Sequence, residues 1–184
     1  MRYRDLSAPE KWILKGIPIL FIIGAIMHSA YDLSKNNLIV GLFCAVNESI
    51  WEHLKMVLIP VILWWVIYYY FKCSKYSINK NKWFQSALIA LITSLITIPM
   101  LYYFYTQAFG VELIVVDIII LLLAIIFGQL LGLHIYRHGK GVNSIIIIMI
   151  FVALIAMFMI FTFYPPQIPL FKDSISGSYG INKK

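Results

Sequence analysis

The chain has 184 residues, of which 61% are hydrophobic and 12% are charged. Soluble domains carry about 25% charged residues, so this composition excludes a soluble enzyme, a disordered chain and a disulfide-rich secreted scaffold. The net charge of +7 does not indicate nucleic-acid binding, because the lysines and arginines flank apolar runs and form no continuous basic stripe.

Five apolar stretches are long enough to cross a bilayer, which takes about 20 residues each. In chain order they cover residues 12–31, 48–71, 83–105, 111–136 and 144–163. None alternates between apolar and polar residues as a membrane barrel strand does. We expect an all-α polytopic membrane helix bundle with five transmembrane helices. It is a single integral-membrane domain over residues 1–184, with an N-terminal flank at 1–11, the bundle at 12–163 and a tail at 164–184.

The basic residues of the short connections fall mainly on one side of this bundle. Ten lie there: Arg2, Arg4, Lys11, Lys15, Lys72, Lys75, Lys80, Lys82, Arg137 and Lys140. Cytoplasmic loops of membrane proteins are enriched in Lys and Arg, so we expect an N-in/C-out orientation with an extracytoplasmic tail. Cys44 and Cys73 then lie on opposite sides of the membrane and cannot pair.

The segment between the first two spans is unusually apolar for a loop. Residues 36–46 are too apolar to be solvated and too short to cross the bilayer. Irregular backbone at membrane depth needs protein or a cavity around it. We expect a re-entrant or interfacial segment that precedes the second helix and ends at Asn47.

The second span starts with a charged segment. Its purely apolar part, residues 56–71, is about 24 Å long at 1.5 Å per residue, against a hydrocarbon core of about 30 Å. Either part of the preceding charged segment, residues 48–55, therefore lies within the outer leaflet, or the bilayer thins there. On a continuous helix Glu48, Glu52 and Lys55 share one face, while His53 points away.

Other spans offer polar partners at the same depth. His28 and Asp32 lie four residues apart near the outer end of the first helix, and Asp117 lies about two turns into the fourth. We expect these faces to meet in one acidic outward-facing cavity formed by His28, Asp32, Glu48, Glu52, Lys55 and Asp117. Small residues should bring the helices close: Gly128 and Gly132 on the fourth, and Ser86, Ala90, Thr93 and Thr97 on the third.

The tail begins where Pro165 and Pro166 end the fifth helix. It is more apolar than a disordered tail requires. We expect either a cap over the outer mouth, with Asp173 and Tyr179 reaching the cavity, or a plain interfacial anchor.

Ionisable residues inside a membrane mark functional sites by default. In an enzyme acting on a lipid-type substrate, the catalytic residues would be Glu48 and Glu52 as general base or metal ligand, His28 as acid/base or ligand, and Asp32 orienting His28. The substrate would be bound by Asn47, Trp51, Lys55, Asp117 and Tyr179.

Other interpretations of the cluster remain open. His28, Glu48 and Glu52 offer mixed ligands suited to Zn, Fe or Mn. Without a metal, the acidic cavity would suit a non-catalytic binder or transporter of a cationic small molecule. The protein can also be structural or regulatory, with the cluster reduced to an internal salt bridge of Lys55 with Glu48 or Glu52. His134 and His138 have the spacing of a zinc pair, but are equally explained as interfacial histidines.

Two motifs suggest a family. The run Asn-Glu-Ser-x-Trp-Glu-His-x-Lys at residues 47–55, with Tyr-x-Pro at 164–166 and Tyr-Gly-Ile at 179–181, resembles a domain of unknown function found in small integral-membrane proteins of Gram-positive anaerobic bacteria. The resemblance covers nearly the whole chain. It implies a bacterial cytoplasmic membrane and carries over no activity.

Overall fold

The computed structural model describes residues 3–181 as a helical bundle. Its helices are α1 (Ala8–Leu33), α2 (Leu38–Phe43), α3 (Ile50–His53), α4 (Lys55–Tyr76), α5 (Lys80–Phe109), α6 (Ile114–His138) and α7 (Ser144–Phe163). With α3 and α4 joined as Ile50–Tyr76, the described chain has five helices long and apolar enough to cross a membrane. The predicted all-α five-helix membrane bundle is confirmed. Its orientation in the bilayer stays a prediction.

Capping residues set the helix starts and shift some of them from the predicted positions. Ser7 and Glu10 form a reciprocal capping box, so α1 begins at Ala8, ahead of residue 12. The Ser49 hydroxyl accepts a hydrogen bond from the backbone N–H of Glu52 at 3.3 Å, so α3 begins at Ile50. Glu48 therefore lies before the helix, and its direction is not set by the helix period.

The tightest packing joins α5 and α6. A Cβ atom built on Gly128 would collide with the Ser94 hydroxyl and lie 2.5 Å from the carbonyl oxygen of Ala90. The Ser94 hydroxyl donates across the contact to the carbonyl of Ala124 at 2.9 Å. Small residues thus allow two backbones to approach closely, as their spacing predicted.

The end of the bundle where α1 starts and α6 ends carries the basic flanks, and we call it the basic end. There Glu10 on α1 pairs with Arg137 on α6. Trp12 stacks on Trp64 with ring centroids 3.9 Å apart, and the Trp83 indole donates to the carbonyl of Trp65 at 2.9 Å. These contacts fix α1, α4, α5 and α6 relative to one another.

The opposite end, where α1, α5 and α7 finish, is covered by chain segments outside the long helices, and we call it the Glu48 end. The short helix α2 packs against α1 and α7 there. The tail returns over the same end through a 3-10 turn at Pro169–Phe171 and an isolated antiparallel bridge between Lys172 and Tyr179. Re-entry of the α2 segment into the bilayer stays a prediction.

Candidate functional site

Two histidines and one glutamate meet at the Glu48 end. Nε2 of His28, on the last turns of α1, lies 3.5 Å from Oε2 of Glu48. Nε2 of His53, on α3, lies 3.2 Å from the same carboxylate oxygen. The three ligand atoms lie within 4.8 Å of one another, so this cluster, the His28–Glu48–His53 trio, could hold a metal ion.

The backbone fixes which nitrogen of His53 carries a proton. Nδ1 lies 2.9 Å from the carbonyl oxygen of Ser49, which can only accept a hydrogen bond. Nδ1 is therefore the donor, and a neutral His53 presents the lone pair of Nε2 to the Glu48 carboxylate. Two lone-pair-bearing atoms at 3.2 Å need a cation between or on them, and a proton or a metal ion meets that need. A ring nitrogen held by a backbone carbonyl is the usual outer-shell arrangement of a metal-binding histidine.

The spacing of the trio is close to that of a coordination sphere. Ligand atoms bound at about 2.1 Å in tetrahedral geometry lie about 3.4 Å apart. The distances of 3.5 Å and 3.2 Å from Glu48 to the two histidines already match this value. The two imidazole nitrogens lie within 4.8 Å of each other, so bringing them together around an ion closes their separation by at most about 1.4 Å, within reach of side-chain rotations.

The trio is partly open to solvent. The side chain of Glu48 is 39% exposed, so a bound ion would keep free positions for water or a substrate. A proton held between Glu48 and His28, and then one between Glu48 and His53, keeps the pKa of the Glu48 carboxyl far below its usual range. Glu48 is therefore ionised and available as a ligand throughout the physiological range.

Glu48 also lines a polar pocket of about 720 Å³. The end of α5, the loop before α6 and the tail form its other walls. Its charged lining residues are three carboxylates and one ammonium group: Glu48, Glu112, Asp173 and Lys172. The Asp173 carboxylate is already engaged, because it accepts a hydrogen bond from the backbone N–H of Ile175 at 3.0 Å.

An apolar crevice of about 500 Å³ adjoins the polar pocket. It lies between α5 and α7 and is lined mainly by aliphatic and aromatic side chains. Tyr103 lines both spaces, and the tail contributes Pro169 to the pocket and Leu170 to the crevice. The two spaces are therefore neighbours along one surface of the bundle.

Glu52 and Lys55 form a separate, fully buried ion pair. Lys55 Nζ lies 2.7 Å from Glu52 Oε2, and the lysine side chain has no exposed surface. Nζ also donates to the Gly41 carbonyl at 2.8 Å and to the Thr162 hydroxyl at 2.6 Å. The backbone N–H of Val46 donates to Glu52 at 3.2 Å. This pair joins the α2 segment, the start of α4 and the end of α7.

The structure divides the predicted single cavity into these two clusters. His28 and Glu48 come together, but Glu52 and Lys55 lie apart from them. The expectation that His53 points away from Glu48 is wrong, because residues 47–49 form a capping turn instead of continuing the helix. Asn47 and Ser49 are typical cap residues, and this signal could have revealed the contact.

The other predicted residues hold chain segments in position. Asp32 is exposed at the end of α1 and forms no hydrogen bond with His28 among the described residues. Asp117 accepts from the Tyr105 hydroxyl at 2.7 Å, which ties α6 to α5. The Asn47 amide donates to the Gly180 carbonyl at 3.0 Å, and Tyr179 belongs to the tail bridge.

Trp51 anchors the tail and lines the apolar crevice. Its ring stacks on Phe158 with centroids 4.0 Å apart, and Phe171 of the tail packs on it at 4.6 Å. His134 and His138 lie at the basic end with ring centroids 4.8 Å apart, remote in the bundle from the trio.

The fold and the site define a multi-pass helical membrane protein with a histidine–carboxylate cluster at one end. The chain belongs to DUF6512, a family of unknown function, whose model matches residues 1–181. No curated protein and no solved structure matches the chain.

Proposed function

We propose that the protein is a metal-dependent membrane-embedded enzyme that acts on a lipid-type substrate. The observation that carries the proposal is the His28–Glu48–His53 trio at the edge of the polar pocket. Two imidazoles and a carboxylate are a ligand set used by catalytic zinc and by non-haem iron. A divalent ion held there would polarise a carbonyl or phosphoryl oxygen of a substrate in the pocket.

Two further features support an enzyme over a closed structural site. The trio is partly exposed, whereas structural zinc is normally enclosed by four protein ligands. The pocket also adjoins an apolar crevice, as a substrate with an apolar portion requires. The proposal leaves Glu52 out of the ligand set, because Lys55, Thr162 and Val46 engage its carboxylate. The bacterial cytoplasmic membrane is the proposed location, as the family resemblance implies, and the distribution of basic residues bears on the orientation in it.

Metal analysis of protein purified in mild detergent without chelators tests the ligand set. We expect about one equivalent of zinc, iron or manganese per chain, lost in Glu48→Gln and in His53→Gln. Glu112→Gln is the matched control, because Glu112 lines the same pocket but lies outside the trio. A metal-free protein after incubation with each of the three ions would refute the metal site, as would full metal content in Glu48→Gln.

Lipid turnover tests the enzymatic part. The metal-loaded protein is incubated with vesicles of total bacterial lipid, and the lipids are compared by mass spectrometry before and after. We expect a new lipid species that depends on the metal and is absent with Glu48→Gln. Unchanged lipids with a fully loaded protein would contradict enzymatic action on lipid.

The charge of the pocket favours one alternative, a binder of a cationic small molecule. The charged groups of its lining are three carboxylates and one ammonium group. On this alternative an organic cation such as spermidine binds the metal-free protein, and Glu112→Gln weakens that binding. On the enzyme proposal the metal-free protein does not bind spermidine, and Glu112→Gln leaves the metal content unchanged, so the spermidine measurement separates the two.

A further inference from the structure

The apolar crevice between α5 and α7 runs along the side of the bundle. On α5 it extends from Leu95 to Tyr103, about 12 Å of helix at 1.5 Å per residue. Two of its wall residues, Ile96 and Met100, are more than half exposed on the outer surface of the bundle. In a bilayer this crevice therefore opens sideways towards the lipid chains, and an apolar chain can enter it without leaving the hydrocarbon.

The polar pocket follows directly at the Glu48 end of the crevice. Tyr103 lines both spaces, and its side chain combines an aromatic ring with a hydroxyl. Residues of this amphipathic kind settle where hydrocarbon meets headgroups. The neighbouring pairs Ile50–Trp51 and Pro169–Leu170 each contribute one residue to the pocket and the next to the crevice.

We infer that the crevice and the pocket together bind one phospholipid, with an acyl chain in the crevice and the headgroup in the pocket beside Glu48. This deepens the proposed function and rests on it for the role of the metal. An apolar space continuous with a polar one matches both the acyl chain and the headgroup of an amphiphile. Neither space alone would accommodate both parts. The head is then held next to the trio, where an ester or phosphoester oxygen meets the proposed ion.

Photochemical labelling tests the crevice. The probe is a phosphatidylcholine with a diazirine in its acyl chain, added to the full chain in mild detergent, with labelled residues mapped by mass spectrometry. We expect labels to concentrate on the crevice walls: Leu95, Ile96, Met100, Leu154 and Met157. Labels spread evenly over all lipid-facing residues would overturn the inference.

Two methionines give a matched pair of variants. Met100 lines the crevice and is 59% exposed, whereas Met149 lies on α7 outside it and is 58% exposed. Met100→Trp should fill the crevice and reduce the labelling to background, while Met149→Trp should leave it unchanged. Equal labelling of the two variants would contradict a defined chain site.

Competition tests the contribution of the headgroup. An excess of unlabelled phosphatidylcholine should remove the labelling, and hexadecane, which has no head, should compete much less well. Equal competition by hexadecane would overturn the part of the inference that concerns the pocket.

The metal-site variant separates this inference from the proposed function. Glu48→Gln should lose the metal and keep the crevice labelled. If the unsubstituted protein binds no metal but its crevice is labelled, lipid binding stands and the metal-dependent enzyme is refuted. Metal binding without crevice labelling would leave the metal site standing and refute the lipid site in the crevice.

Discussion

At the scale of single residues, the pair of Glu52 and Lys55 places two opposite charges almost entirely out of contact with solvent. Charges removed from water are tolerated only where partners satisfy them. Lys55 has four such partners, and they come from three parts of the chain: Gly41 and Cys44 in the α2 segment, Glu52 on α3 and Thr162 near the end of α7. The pair therefore holds the α2 segment and the end of α7 against the start of α4.

Removing one charge of this pair should destabilise the protein strongly. In Lys55→Met, Glu52 remains buried without its counter-charge, and we expect a loss of about 3–5 kcal/mol in the free energy of unfolding. The double variant with Glu52→Leu removes both charges and should lose less than Lys55→Met alone. Unfolding in mild detergent titrated with dodecyl sulfate, followed by circular dichroism, measures Lys55→Met, Glu52→Leu and the double variant.

The control for this cycle is Lys140→Met, which removes an exposed lysine at the basic end. It should change the unfolding free energy by no more than about 0.5 kcal/mol. A double variant that lost the sum of the two single losses would mean that Glu52 and Lys55 act independently, contrary to their contact.

The residue at which α3 begins decides which partners of Glu48 were predictable from the sequence. His28 and Glu48 were predicted as site residues because ionisable residues near a membrane are rare and costly. The partnership of Glu48 with His53 was missed because the helix was extended back through Ser49. The helical rotation of about 100° per residue does not determine where a side chain points when its residue precedes the first turn.

At the scale of elements, the contact of α5 with α6 depends on the absence of a side chain at Gly128. Lipid chains are as apolar as the helix surfaces, so association rests on close packing and not on the hydrophobic effect. The five spans were predictable for a different reason, because a bilayer can be crossed only by long apolar helices whose backbone groups bond within the helix. The tail obeys no such constraint, so its contacts with Asn47 and Trp51 could not be derived from its composition.

Gly128→Ala should weaken this contact. The added Cβ would meet the Ala90 carbonyl at 2.5 Å, and a backbone atom cannot rotate away. We expect a loss of about 1–3 kcal/mol in unfolding free energy, as for other overpacked sites. Adding Ser94→Ala removes the hydroxyl from the collision and should restore little, because the carbonyl obstacle remains.

Leu131→Ala on the exposed side of α6 is the control and should stay within about 0.5 kcal/mol of the original protein. Gly132→Ala should lie between the two, since its Cβ would meet a side-chain methyl of Ala90 at 2.9 Å. If Gly128→Ala unfolds at the same dodecyl sulfate fraction as the original protein, α5 and α6 do not pack as described.

At the scale of the whole molecule, the orientation decides which side of the membrane supplies the site. The trio, the polar pocket and the tail all lie at the Glu48 end, and the basic flanks lie at the other. With the basic end in the cytoplasm, the proposed metal and lipid reach the site from outside. With the opposite orientation, both would come from the cytoplasm.

Cysteine labelling in intact bacterial cells with a membrane-impermeant maleimide tests this orientation. Two variants each carry a single thiol. The first is Cys44→Ser, which keeps Cys73 near the basic end. The second combines Cys44→Ser and Cys73→Ser with Ile175→Cys in the exposed tail. We expect the tail thiol to react in intact cells and Cys73 to react only after permeabilisation.

Cys44 is unsuited as a reporter because it is buried, and burial raises the pKa of its thiol, which disfavours the reactive thiolate. The opposite labelling pattern would mean that the basic end faces outside and the Glu48 end faces the cytoplasm. The lipid probes of the site would then have to be supplied to the cytoplasmic leaflet.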